Sequence, residues 1–352
     1  MSDFTLILLV NGKENFTKRW LEYMSLVNFK HKIVIGNGNK KKDHLLKKLI
    51  THKRYSKLNI KYHSYNNKNY KDYYFMMYDI VKKQSKSSYI KFCDNDDFIL
   101  PLQLQKLLEI IKKDKNLISV GDRAMWFSLL NGYIYGANMY YWPDNFYRET
   151  EKFNIKNIND IFINFQESFY NIFRKKFILK ALNEVYKIDF SDLEIRDFYL
   201  KLRIMSFGKT KFVNQVSYLR QHGTSQTSGN NFSYIENFVK KDISNDLLKL
   251  KNNLIKNINN FKLNENSLLK GVEKGYISYL NNVVDHNLRP SRYKKLFLIK
   301  EILKNNFPIL LNFIRKVQYF KNNFLLKKNY YKNFDLFNKE LIIIKNFLNN
   351  LN

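Results

Sequence analysis

Residues Tyr89-Ile90-Lys91-Phe92-Cys93-Asp94-Asn95-Asp96-Asp97-Phe98 end an apolar run in three carboxylates within four positions. Asp is depleted in strands, and like charges at this spacing repel. A strand that exits into Asp94, Asp96 and Asp97 therefore suits a cation. Mg2+ and Mn2+ take oxygen ligands, and Mg2+ is commonly held by one or two carboxylates together with substrate phosphates. The plainer reading is a polar loop in which Asp94 or Asp96 caps the helix expected after Pro101. Other residues able to do chemistry lie further on. Asp192, Glu194 and Asp197 bracket a helix start, and Arg220 and His222 follow a strand.

These residues need a scaffold that brings them together. Phe4-Thr5-Leu6-Ile7-Leu8-Leu9-Val10 is a continuous apolar run, the pattern of a buried parallel strand. Further strands are expected at residues 32–35, 59–63, 88–93, 117–121 and 211–219. Helical spacing is expected at 16–29, 43–51, 72–83, 102–113, 169–185 and 193–207. The aromatic stretch 125–147, with turns at Asn131-Gly132 and Trp142-Pro143-Asp144, reads as β-hairpin material. Strands alternating with helices argue for an α/β fold with a mostly parallel sheet. In such sheets ligands bind beyond the carboxyl ends of the strands. The Gly36-Asn37-Gly38 turn and the acidic cluster both fall at such ends. The Gly/Ser/Thr/Asn-rich stretch 223–231 reads as a linker or a loop able to close over a ligand. Residues 231–352 read as a helical, Lys/Asn-rich region.

Composition narrows the classes. With 352 residues, 45% of them hydrophobic, the chain can bury a large core, as two domains or as one domain with an extension; the motifs above place the boundary near residue 230. Its one cysteine, Cys93, excludes an internal disulfide framework and fits a reducing cytoplasm. The first ten residues lack a cationic signal-peptide start, and no apolar run reaches the ~20 residues of a membrane span. The net charge of +30 is spread along the chain rather than gathered in a stripe. An anionic membrane surface or acidic substrate therefore ranks above nucleic acid as a partner.

The order of these parts resembles the GT-A glycosyltransferases, specifically the family 2-like group of inverting bacterial enzymes. The resemblance rests on Phe4 to Val10, Ile33 to Asn39, Asp94-Asn95-Asp96-Asp97-Phe98, Tyr170-Asn171-Ile172-Phe173-Arg174-Lys175, Arg196-Asp197-Phe198-Tyr199 and Tyr218-Leu219-Arg220-Gln221-His222. It covers about residues 4–228. It implies a GT-A sheet flanked by helices, a nucleotide-sugar donor, and Mn2+ or Mg2+ as cofactor. The implied product is a bacterial surface glycan, with a glycan or lipid-linked glycan as acceptor at the inner face of the cytoplasmic membrane. By resemblance, Asp94 lies near the ribose and metal. Asp96 is the leading metal ligand, supported by Asp97 and His222. Arg220 touches the diphosphate, and Asp197 is the general base. Asp192 and Glu194 stay open as alternative bases, although a helix N-cap and a first-turn acid explain them well.

Three departures stand out. Leu9-Val10-Asn11-Gly12-Lys13 replaces the family's Pro-Thr-x-Asn-Arg turn, Gly36 or Asn37 replaces its acidic base contact, and Arg196 replaces the Glu of its Glu-Asp pair. Asn37 and Lys13 remain candidates for the nucleotide pocket, Lys13 reading first as a solvated cation. The C-terminal segments 293–304 and 307–320 mix apolar faces with Lys and Arg. They read as a bundle packed on the catalytic domain or, alternatively, as a basic face for an anionic membrane. Two other function classes fit parts of the pattern: a nucleotidyltransferase-like enzyme, and a non-catalytic basic membrane- or nucleic-acid-binding protein on a degenerate GT-A fold.

Overall fold

A computed structural model describes residues 3–138, 158, 161–162, 168–221, 243–288, 306 and 334–350, apart from 85, 131, 132 and 262. The strands among them are β1 (Phe4–Val10), β2 (Lys32–Asn37), β3 (Ile60–Ser64), β4 (Tyr89–Asp94), β5 (Phe98–Ile99), β6 (Leu117–Leu130), β7 (Tyr133–Asn138), β8 (Ile172–Arg174) and β9 (Lys209–Gln221). They form one sheet in the order β3-β2-β1-β4-β8-β6-β9-β5, with β7 paired to β6. β1 to β4 are mutually parallel, β6 and β9 run with them, and β5, β7 and β8 run against them. The fold is thus α/β with a mostly parallel sheet flanked by helices.

The helices are α1 (Glu14–Leu26), α2 (Asp43–Ile50), α3 (Tyr70–Lys83), α4 (Pro101–Lys113), α5 (Lys175–Val185), α6 (Leu193–Ser206), α7 (Ile243–Ile255), α8 (Glu265–Leu288) and α9 (Phe334–Asn349). All seven residues of β1 are buried, as a strand covered on both faces requires. Alternate side chains feed two cores. Leu6 and Leu8 join Trp20 of α1 and Leu104 of α4 on one face. Ile7 and Leu9 join Met77 of α3, Leu182 of α5 and Phe198 of α6 on the other.

The C-terminal helices share these cores. α9 sets Phe337, Leu341, Ile344 and Leu348 into the first. Leu250 and Leu254 of α7, with Leu268 and Val272 of α8, enter the second. Glu340 of α9 accepts the N–H groups of Leu102 (2.8 Å) and Gln103 (3.3 Å), capping the start of α4. No helix among the described residues is long and apolar enough to cross a membrane.

Two expectations need correction. Residues 169–185 do not form one helix. A 3₁₀ turn (Ser168–Tyr170) leads into β8, which sits antiparallel between β4 and β6, and only then does α5 begin. The strand expected at 117–121 continues to Leu130, and its antiparallel pairing with β7 forms the expected hairpin, with Leu130 opposite Tyr133. The Trp142-Pro143-Asp144 turn, His222, the 223–231 stretch and segments 293–304 and 307–320 lie outside the described residues.

Candidate active site

Beyond the carboxyl ends of β1 and β4 lies a cavity of about 640 Å³. Its wall includes Lys13, Asp94, Asp96, Asp197, Lys201 and Arg220. Four of the sequence candidates, Asp94, Asp96, Asp197 and Arg220, are therefore brought together from β4, the following loop, α6 and β9. A size of this order suits a small-molecule ligand.

The acidic loop divides its side chains between cavity and core. Asp94 accepts a hydrogen bond from the Tyr170 hydroxyl (2.9 Å). That ring stacks on Tyr218 with centroids 4.0 Å apart, and the Arg220 guanidinium lies 5.9 Å from the Tyr170 ring. Asp96 lies 3.8 Å from the Lys13 ammonium, and its carbonyl accepts from Arg19 at 2.7 Å. The Arg19 guanidinium is held between the Phe16 and Phe98 rings at 4.8 and 5.0 Å. Burial brings its pKa down to about 10 against the opposing pull of Asp96 and Asp97.

Asp97 is the one member of the cluster turned inward. It is buried, is absent from the cavity wall, and accepts from the Tyr218 hydroxyl and the Gln221 N–H (2.9 Å). Burial, reinforced by the charges of Asp96 and Asp94, pushes its carboxyl well above the usual carboxylate range. Asp97 thus ties the loop to the end of β9.

α6 follows Asp192, whose carboxylate caps the helix by accepting from the N–H of Glu194 (2.8 Å) and Ile195 (3.0 Å). Glu194 accepts from the Tyr279 hydroxyl. Of these three acids, Asp197 is the one on the cavity wall, and it accepts from the Tyr74 hydroxyl of α3. Arg196, standing where the resemblance has Glu, is buried. It donates to the Phe190 carbonyl (2.6 Å) and lies over the Tyr74 ring at 5.5 Å.

Two nucleotide-pocket candidates change places. Asn37 is fully buried and off the cavity wall, donating to the Asn39 carbonyl (3.0 Å) and the Tyr62 hydroxyl (2.9 Å). It fastens the turn after β2. Lys13, read as a solvated cation, lies instead on the cavity wall with its side chain 25% exposed. Tyr74 and Tyr170 hold Asp197 and Asp94, yet nothing in the sequence marks either as a site residue. Their signal, a tyrosine on an apolar helix face or before a short strand, is the same as that of core residues.

Among the described residues no three His, Cys, Asp or Glu side chains gather as a metal set. Asp94 and Asp96 nonetheless supply hard carboxylate oxygens to one cavity wall. Two such ligands are a usual protein share for Mg2+ when substrate phosphates complete its shell.

No protein-family model matches the chain, and no curated protein matches it in sequence. Solved structures resemble it in shape at 9–14% identity. S. aureus TarS, residues 1–349, is 14% identical with a TM-score of 0.49, over 84% of this chain and 77% of that one. A mannosyltransferase from Pyrobaculum calidifontis, in complex with GDP-Man and Mn2+, is 9% identical with a TM-score of 0.44, over 93% and 88%. A 4-diphosphocytidyl-2C-methyl-D-erythritol synthase from Anaerococcus prevotii is 12% identical with a TM-score of 0.36, over 68% and 99%.

Proposed function

We propose that this chain is an inverting GT-A glycosyltransferase that moves a sugar from a nucleotide-sugar donor to a glycan acceptor, with residues 1–230 as the catalytic unit. The observation that carries the reading is the meeting of Asp94, Asp96 and Asp197 on one cavity wall, from segments about a hundred residues apart. The acidic pair lies at the strand ends, where a diphosphate would sit. The third acid comes from a separate element, α6, as suits a base on the acceptor face.

In this reading the acceptor hydroxyl attacks the anomeric carbon from the face opposite the departing diphosphate, and Asp197 takes its proton. Tyr74 fixes one oxygen of that carboxylate, and Arg196 holds the Tyr74 ring from behind. Asp94 and Asp96 would hold Mn2+ or Mg2+, with His222 as a candidate further ligand. When bound, the ion neutralises charge gathering on the leaving diphosphate. Arg220 adds positive charge on the same wall. The +30 charge supports work at an anionic cytoplasmic membrane surface, where a lipid-linked acceptor is presented.

A thermal-shift panel of nucleotide-sugars with and without Mn2+ tests the reading. One nucleoside-diphosphate family should raise the melting temperature in a concentration-dependent way, more so with the metal. A flat response across the whole panel would rule the donor site out.

A further inference from the structure

The turn leaving β1 contains two consecutive left-handed residues, Gly12 (φ 81°) and Lys13 (φ 57°). The first suits glycine, whereas the second crowds a lysine Cβ against its own backbone. Such strain persists only where neighbours over-determine it, and it gathers at ligand sites. Here the neighbour is Asn95, whose side-chain amide donates to the carbonyls of Gly12 (3.3 Å) and Lys13 (3.2 Å) and to the Thr17 hydroxyl (2.9 Å). Asn95 sits between Asp94 and Asp96, so the lysine turn and the acidic loop are locked together as one piece. The lock holds the Lys13 ammonium on the cavity wall, 3.8 Å from Asp96 and 5.6 Å from the Phe16 ring centroid.

We propose that Lys13 is a binding residue for the donor's diphosphate, allowing the cavity to hold a nucleoside diphosphate without a divalent ion. This rests on the donor reading above and adds the residue that serves it. Two carboxylates alone repel a diphosphate. An ammonium carries three donors, so pairing with Asp96 leaves capacity for a phosphate oxygen. With Arg220 lining the same cavity, the protein itself supplies a second cationic group there.

Calorimetric titration with UDP, GDP, CDP, ADP and dTDP, each in EDTA and in Mn2+, tests this on wild type, Lys13→Gly and Lys13→Arg. Lys13 caps α1 without a side-chain hydrogen bond, and glycine relieves its strain. Lys13→Gly should therefore melt no lower than wild type. Wild type is expected to bind at least one nucleotide in EDTA. Lys13→Gly should bind that nucleotide at least tenfold more weakly, and Lys13→Arg should recover most of the affinity. Mn2+ should narrow the gap. If wild type binds only with Mn2+ and Lys13→Gly binds as tightly or more tightly, Lys13 is only a counter-ion for Asp96. The inference then fails while the donor reading stands. If nothing binds under either condition, the donor reading falls and this inference with it.

Discussion

The acidic loop at 94–97 and the start of α6 at 192–197 each place three carboxylates in a short stretch and then use them differently. In the loop, Asp94 and Asp96 face the cavity while Asp97 turns inward to Tyr218 and the Gln221 N–H. At the helix start, Asp192 is spent on capping and Glu194 on Tyr279, and Asp197 reaches the cavity one turn later. In both places one acid fastens backbone and another faces open space. The difference is geometric. A loop lets near neighbours diverge, so two acids can share a wall, whereas at the helix start Asp192 is held at the cap and Glu194, three residues before Asp197 and so on the same side of the helix, is taken by Tyr279, which leaves one acid, Asp197, on the cavity wall. Glu340 is a third backbone-fastening acid, reaching α4 from α9.

Substitutions can break this division. The largest effect is expected for Asp197→Asn. Transfer should fall by about 10²–10⁴-fold, as removal of a general base does, with the melting temperature nearly unchanged. Initial rates with the donor found by thermal shift would decide it. A comparable collapse in Glu194→Gln, with Asp197→Asn active, would move the base. Asp97→Ala should instead cost stability, about 2–4 kcal/mol in urea unfolding, because it strands the Tyr218 hydroxyl and the Gln221 N–H and opens a void. Unchanged stability would mean Asp97 does not fasten β9.

Glu340 sharpens the comparison through pH. Burial raises its carboxyl from 4.5 to about 7 despite the two N–H groups it accepts. The folded state then holds its proton more tightly than the unfolded chain. Its contribution is complete below about pH 4.5 and is lost as pH rises towards 7, amounting to ~3 kcal/mol at most. Asp122, raised to about 7 by burial, carries the same sign. The difference between wild type and Glu340→Gln is therefore the quantity to measure. Melting temperature should fall more steeply for wild type than for Glu340→Gln between pH 5 and 7, and parallel curves would refute the assignment. The smallest effect belongs to Asp192→Ala. Losing the cap should cost about 1 kcal/mol and leave the rate per folded molecule unchanged.

Much of this arrangement was legible in the residues. β1 and β2 announce themselves by apolar runs, β4 by alternating apolar positions, and the acidic cluster by carboxylates that a strand end rarely carries. β5 and β8 did not, because two or three residues carry no period. Their antiparallel insertion depends on partners far away in the chain. The inward turn of Asp97 was hidden for a related reason, since no local rule fixes side-chain direction in a loop. Tyr74 and Tyr170 read as core because burying a ring and presenting its hydroxyl look alike in sequence. Lys13 reads as a solvated cation in sequence because its left-handed backbone, held by Asn95, depends on a contact 82 residues away.

The capping of α4 by Glu340 has a consequence in time. Leu102 and Glu340 are 238 residues apart, so at ordinary synthesis rates ~10–50 s separate their appearance from the ribosome. During that interval Tyr23 and Phe98, which later meet Phe347, have no cover from α9. Phe98 directly follows the acidic loop and flanks Arg19. A nascent chain can thus assemble its parallel strands early, yet it completes the support beneath its most acidic loop only after α9 has been made.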